Sequence, residues 1–218
     1  MKFLRKFADN TNRNSIVNKW RKKRFKIFKE MLDGIPKPVK ILDIGGTENF
    51  WIQMDFVNFP DVTITILNSQ EINITLPYFK FVKGDAKDMN MFADNEFDIA
   101  FSNSVIEHVG NYNDQKKTAN EIKRVAKRYF VQTPNYYFPM EPHFLFPFFQ
   151  FLPLKIKIFL LMNFKMGWYE KCNSYEEVLK LINSIRLLKK RELEIFFPFC
   201  RINREKLFGL TKSFIITN

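Results

Sequence analysis

The spacing of hydrophobic and polar positions divides the chain near residue 35. Residues 15–33 predict an amphipathic helix. Ile16, Trp20, Ile27, Phe28, Met31 and Leu32 gather on one face, and Lys19, Arg21, Lys22, Lys23 and Lys26 fill the rest. Gly34 followed by Pro36 is a stop signal. From residue 39 short apolar runs take over, at 39–44, 62–67, 79–83, 97–101 and 128–132. They are rich in Val, Ile and Phe and alternate little, as strands buried on both faces of a parallel sheet do. Ala119, Ile122, Val125 and Ala126 form a helical stripe between the last two runs, with Asn113 as its expected cap. Two further strands, 200–206 and 213–217, flank Gly209 and should pair antiparallel at one edge. The fold class that follows is α/β: a doubly wound, mostly parallel seven-stranded sheet with an antiparallel C-terminal strand.

The rhythm breaks after Asn135. Residues 136–169 hold four prolines and a dense set of aromatics, which predicts a helical and aromatic insertion after the fifth strand. Ser174-Tyr-Glu-Glu177 then reads as a capping box opening a helix to about Ser184. The expected organisation is a basic N-terminal segment and helix over 1–34, its first 14 residues frayed, and one domain over 35–218 with the insertion at about 136–170.

Composition changes this picture in three ways. Lys and Arg number 35 against 23 Asp and Glu, for a net charge of +12, and residues 1–40 hold 13 of the bases and three of the acids. The charge excess is thus a local feature of the N-terminal helix, and it invites an anionic partner. Cys172 and Cys200 are too few for a disulfide framework or a four-ligand zinc site. No signal-peptide core is present, and the stretch 143–168 is broken by prolines and lysines before it reaches spanning length. The expected location is cytoplasmic, with peripheral contact to an anionic membrane left open.

The chemistry concentrates in Lys40-Ile-Leu-Asp-Ile-Gly-Gly-Thr47. A strand ends in Asp43 and turns at once through Gly45 and Gly46, which lets backbone approach a ligand beyond the strand's carboxyl end. The Asp43 carboxylate either accepts from a ligand or holds the turn. Gly84-Asp85-Ala86 follows the third strand, and Ser102-Asn103-Ser104-Val-Ile-Glu107-His108 leaves the fourth. All these polar groups fall on one rim.

Over residues 39–135 this set resembles the class I S-adenosylmethionine-dependent methyltransferases, in a methyltransferase type 11-like subset. The resemblance implies S-adenosylmethionine as cofactor. Asp43, Gly45 and Gly46 would lie against its methionine part, with Ser102 and Asn103 beneath it. Asp85 and the backbone N–H of Ala86 would meet the adenine. Asn68 stands where the family has an acidic residue on the ribose hydroxyls, so either Asn68 or Glu71 is expected to hold the ribose. Thr47 and Asn49 replace two glycines of the usual motif. Val-Ile-Glu107-His108 resembles a metal-dependent quinone-methylating branch, but that branch has a further Glu where this chain has Ser104, so no metal is expected.

Methyl transfer to a hydroxyl needs a base. His143, in Thr133-Pro-Asn135-Tyr-Tyr-Phe138-Pro-Met-Glu141-Pro-His143, follows the fifth strand and is the candidate. The expected reaction is O-methylation of a small-molecule, glycan or lipid-like acceptor. An RNA methyltransferase is the alternative that the basic charge suggests, although no Asn/Asp-Pro-Pro-aromatic motif follows the fourth strand, so nucleic acid is the weaker partner. A catalytically degenerate binding module is the third reading.

Overall fold

The computed structural model describes residues 16–57 and 59–218. The fraying expected of residues 1–14, and the placement expected of the Ile16 and Lys19 side chains, lie outside what it describes. Helix α1 (Ile16–Asp33) leads into β1 (Val39–Ile44), α2 (Glu48–Gln53), β2 (Val62–Asn68), β3 (Phe79–Lys83), β4 (Phe97–Asn103), α3 (Tyr112–Val125) and β5 (Ala126–Pro134). A hairpin of β6 (Met140–Glu141) and β7 (Phe146–Pro147) follows, then α4 (Leu154–Asn163), α5 (Tyr175–Asn183) and α6 (Lys190–Phe196). The hairpin of β8 (Arg201–Leu207) and β9 (Leu210–Thr217) ends the chain. Seven strands form one sheet in the order β3-β2-β1-β4-β5-β9-β8, parallel as far as β5 and antiparallel beyond it.

β1 shows why its run is apolar almost throughout. Val39 and Ile41 enter one core with Phe25 and Phe28 of α1 and Trp51 of α2. Leu42 and Ile44 enter the other, with Ala119 and Ile122 of α3 and Leu193 and Phe196 of α6. Side chains on a strand alternate between faces, so a doubly covered strand needs both parities apolar. A third, smaller core of Phe144, Phe149, Leu161, Met166 and Val178 holds the insertion and α5 together as a lid.

The structure departs from expectation at one helix cap and one strand start. Asn111, not Asn113, caps α3: its side chain accepts from the N–H of Asn113 and Asp114, and Asp114 accepts in return from Asn111 N–H at 3.1 Å. The antiparallel pair expected at one edge is present, with β9 on its inner side between β5 and β8. β9 starts earlier than expected, at Leu210. Phe208 and Gly209 both take positive φ (50° and 80°), the tight hairpin turn whose twist suits paired strands. The β2–β3 and β3–β4 connections are loops. The Glu48 carboxylate pins the first by accepting from the N–H of Thr75 and Leu76. Arg124 pins the second by donating to the carbonyls of Phe92 and Met89.

Candidate active site

The strand order reverses between β1 and β4, where a parallel sheet opens a crevice at its carboxyl ends. A cavity of about 210 Å³ sits there, and Arg21, Asp43, Gly45, Gly46, Phe50 and Asn103 are among its lining residues. Gly45 has φ +71°, and a Cβ on it would stand 2.7 Å from Val105. A Cβ on Gly46 would stand 1.8 Å from Asp43 Oδ2. The turn closes only because both side chains are absent. Asp43 is buried, accepts from Trp51 Nε1 at 2.6 Å, and lies directly against Gly46, so its carboxylate holds the turn. Burial pushes its pKa up to about 7, with the Trp51 hydrogen bond opposing.

The strand ends that follow are stitched side by side. Gly45 N–H donates to Leu67 O at 2.7 Å and Gly84 N–H to Asn68 O at 3.1 Å. The Asn68 amide donates to Gly46 O at 3.1 Å while its Oδ1 accepts from Gln70 N–H at 3.0 Å, so both ends of this side chain brace the rim. Glu71 is exposed on the same loop. Asp85 is exposed, accepts from Lys87 N–H at 2.9 Å and pairs with the Lys87 ammonium. Ala86 packs on the core beside it. On β4, Phe101 and Asn103 face the cavity. Ser102 falls on the opposite side and is buried, and its hydroxyl makes no hydrogen bond. The structure therefore brings Asp43, Gly45, Gly46 and Asn103 to one cavity. Asn68 is one contact away, Asp85 and Ala86 lie farther along the rim, and Ser102 sits behind the strand.

Two site residues are hidden in the polar face of α1. Arg21 lines the cavity, and burial together with the Arg24 charge lowers its pKa to about 10. Arg24 is buried: Nη1 donates to Asn103 Oδ1 at 2.7 Å and to Gln132 Oε1 at 2.5 Å, and Nε to Glu205 Oε1 at 3.1 Å. Helical spacing alone gives no signal for either, because it places them with the lysines on the polar face.

A second group of polar residues lies past β5. Glu141, buried in β6, accepts from the backbone N–H of His143 at 2.8 Å and of Phe144 at 2.6 Å. Its Oε1 lies 2.7 Å from His143 Nδ1, and a carboxylate only accepts, so that nitrogen carries the hydrogen. His143 Nε2 lies 3.1 Å from His108 Nε2. Burial alone would lower the His143 pKa, but the Glu141 hydrogen bond and charge, with Glu107 behind them, hold it above its ordinary value. His108 is held below its own by partial desolvation and the adjoining His143. Glu107 is fully buried. One oxygen accepts from Thr133 Oγ1 at 2.9 Å, the other makes no hydrogen bond, and burial raises its pKa. One ligand-capable atom from each of Glu107, His108 and His143 lies within 4.8 Å of the others, close enough to share a proton or a cation. Sequence alone links Glu107 and His108 but misses this third member, because it comes from the lid, 35 residues downstream of His108. Beside the cluster, a cavity of about 280 Å³ is lined by Glu141, apolar Phe144 and Phe149, and the cations Lys157, Arg186 and Lys189.

Residues 57–129 match a family model described as a methyltransferase domain. A solved S-adenosylmethionine-dependent methyltransferase from Aquifex aeolicus overlays 89% of this chain and 87% of its own with a TM-score of 0.51 at 15% identity. The N-terminal domain of EvdMO1, solved in the presence of SAH and D-fucose, overlays 90% of this chain and 80% of its own (TM-score 0.54, 14% identity). The CurJ carbon methyltransferase overlays 94% of this chain and 55% of its own (TM-score 0.58, 11% identity). The chain has the fold of the class I S-adenosylmethionine-dependent methyltransferases. In sequence it is 35% identical over 60 residues to an uncharacterized protein of Mycobacterium tuberculosis, a match covering 28% of this chain. The chain spans about a fifth (20%) of the length of the curated relatives it matches.

S-adenosylmethionine is the cofactor that goes with this fold, and the residues present fit it. The Gly45–Gly46 turn lines the cavity with bare backbone, packed so closely on Val105 and Asp43 that any Cβ would displace it. Arg21 offers a guanidinium in that cavity, a group suited to a carboxylate such as that of the methionine moiety. No described carboxylate forms an ion pair with it, so the charge is available to a ligand.

Proposed function

We propose that this protein moves a methyl group from S-adenosylmethionine to an oxygen of a small-molecule, glycan or lipid-like acceptor held in the 280 Å³ cavity. Bound cofactor supplies an electrophilic methyl on its sulfonium. The protein's own share is positioning and proton removal. Arg21 and the Gly45–Gly46 turn hold the methionine end, while Asn68 and Asp85 line the rim toward the ribose and adenine.

The observation that carries the reading is the Glu141–His143 pair at 2.7 Å, which follows β5 as the glycine turn follows β1. Glu141 keeps the hydrogen on Nδ1, which leaves Nε2, 3.1 Å from His108 Nε2, as the basic nitrogen, and its charge makes His143 a stronger base than a free imidazole. An acceptor hydroxyl reaches Nε2 by replacing the His108 contact, and gives up its proton there as the methyl exchanges its bond to sulfur for one to oxygen. Apolar Phe144, Phe149 and Ile182 supply the dry wall, and Arg186 and Lys189 a cationic edge suited to anionic or hydroxylated groups.

The test has two parts. Calorimetry with S-adenosylmethionine should give saturable binding; none at millimolar concentration favours the degenerate module. With acceptor present, His143→Gln should lower kcat about 10²-fold or more while cofactor affinity holds. Because the His143 pKa is raised and the neutral ring is the base, the wild-type rate should climb with pH through a midpoint above 6.5. Unchanged turnover in His143→Gln removes the histidine from the mechanism.

A further inference from the structure

The lid has a face that its own core does not use. Along α4, Leu161 turns inward against Met166 and Val178, whereas Ile156, Phe159 and Met162 turn outward, and Phe159 is 59% exposed. Phe164 and Trp168, just past the helix, are each 49% exposed, and the Phe159 and Phe164 rings stand 6.1 Å apart. A surface helix ordinarily turns polar residues outward, so a helix apolar on both sides is one that meets something.

The charges around the patch select what it meets. Between residues 148 and 171 the ionisable acids and bases are Lys155, Lys157, Lys165, Lys171 and Glu170, and Glu170 is paired with Lys165. A second copy of the chain would bring these lysines against their own kind. An anionic lipid surface suits both features: lysine stems lie along apolar surface while their ammonium groups reach the headgroups. Trp168, with an apolar body and an indole N–H that donates to Pro142 O at 3.3 Å, belongs to the residue type of membrane–water boundaries. No described helix is long and apolar enough to cross a membrane, which makes the contact one that lies in the surface.

We propose that the outer face of α4, with Phe164 and Trp168, docks on an anionic lipid bilayer and sinks Phe159 below its headgroups. The inner side of the same lid lines the acceptor cavity through Phe149 and Lys157. The corollary that the acceptor is a membrane-borne amphiphile rests on the methyl-transfer reading; the docking does not.

Sedimentation of the full chain with phosphatidylcholine vesicles, with and without phosphatidylglycerol, tests this in the absence of cofactor. A failure there leaves the methyl-transfer reading standing. The expected result is binding that requires the anionic lipid and weakens with salt. Phe159→Glu should lower the partition constant about tenfold or more, and Lys155→Gln about fivefold. Brominated lipid should quench tryptophan emission in the wild type and lose most of that effect in Trp168→Phe. Phe159 is exposed, so the variant should melt with the wild type; if it fails to fold, Phe164→Ser, outside the helix, gives the same reading. The proposal is overturned if no vesicle binding is seen. It is equally overturned if Phe159→Glu binds as well as wild type, which would assign attraction to the basic N-terminal region, or if Phe159→Glu instead disperses a dimer.

Discussion

Asp43 is a carboxylate that the fold buries with one hydrogen bond, and that arrangement has a measurable cost. Its pKa rises from the ordinary 3.8 to about 7, chiefly because burial penalises the ionised form. A folded-state pKa above the unfolded one means that the native state holds the proton more tightly. Stability from this group is therefore complete below about pH 4 and is lost as pH rises through 7. Each pKa unit corresponds to about 1.4 kcal/mol, so the full penalty approaches about 4 kcal/mol, of which roughly 2.5–3 accrues between pH 5 and pH 8. Asp43→Asn keeps an oxygen for Trp51 Nε1 and never ionises. Its stability relative to wild type should therefore improve by that amount across the same window. For a chain of this size that equals a change of about 5–12 °C in the difference between the two melting temperatures. Melting both proteins by calorimetry from pH 5 to pH 8 reads this directly, because other titrating groups cancel in the difference. A pH-independent difference would refute the reasoning and show the charge to be compensated in place.

Three other outcomes follow from the same geometry. Gly46→Ala should cost about 1–3 kcal/mol, because its Cβ would stand 1.8 Å from Asp43 Oδ2 and must displace the carboxylate. The melting shift that S-adenosylmethionine gives the wild type should vanish with it, and a variant that melts normally and still shifts would contradict the turn's part in binding. Arg24→Leu strands the partly buried Glu205 and frees Asn103, and urea titration should register a loss of about 3–5 kcal/mol. Prior treatment with EDTA should leave turnover unchanged if His108 and His143 share a proton. Activity lost on chelation and restored by a divalent ion would make Glu107, His108 and His143 a metal centre.

Much of this protein is legible in the order of its residues. The parallel strands announce themselves because burial on both faces leaves no polar parity in runs such as residues 39–44. The turn at Gly45 and Gly46 is equally plain, since a positive φ and a missing Cβ are demands a residue meets alone. Ser174 and Glu177 mark the start of α5, where Ser174 does accept from Glu177 N–H. These are local requirements, settled within one element.

The tertiary structure decided what depends on partners far away in the chain. Helical spacing places Arg21 and Arg24 on a solvated face, and only the packing of α1 over the strand ends turns Arg24 toward Asn103, Gln132 and Glu205. His108 and His143 are 35 positions apart and meet at 3.1 Å because the lid folds back onto the loop after β4. Asn68, expected at a ribose, also braces Gly46, a bond that no propensity encodes. Periodicity reports which side of an element is wet or dry. It carries no information about which polar group waits on the other side, because that pairing is made by the crossing of distant segments.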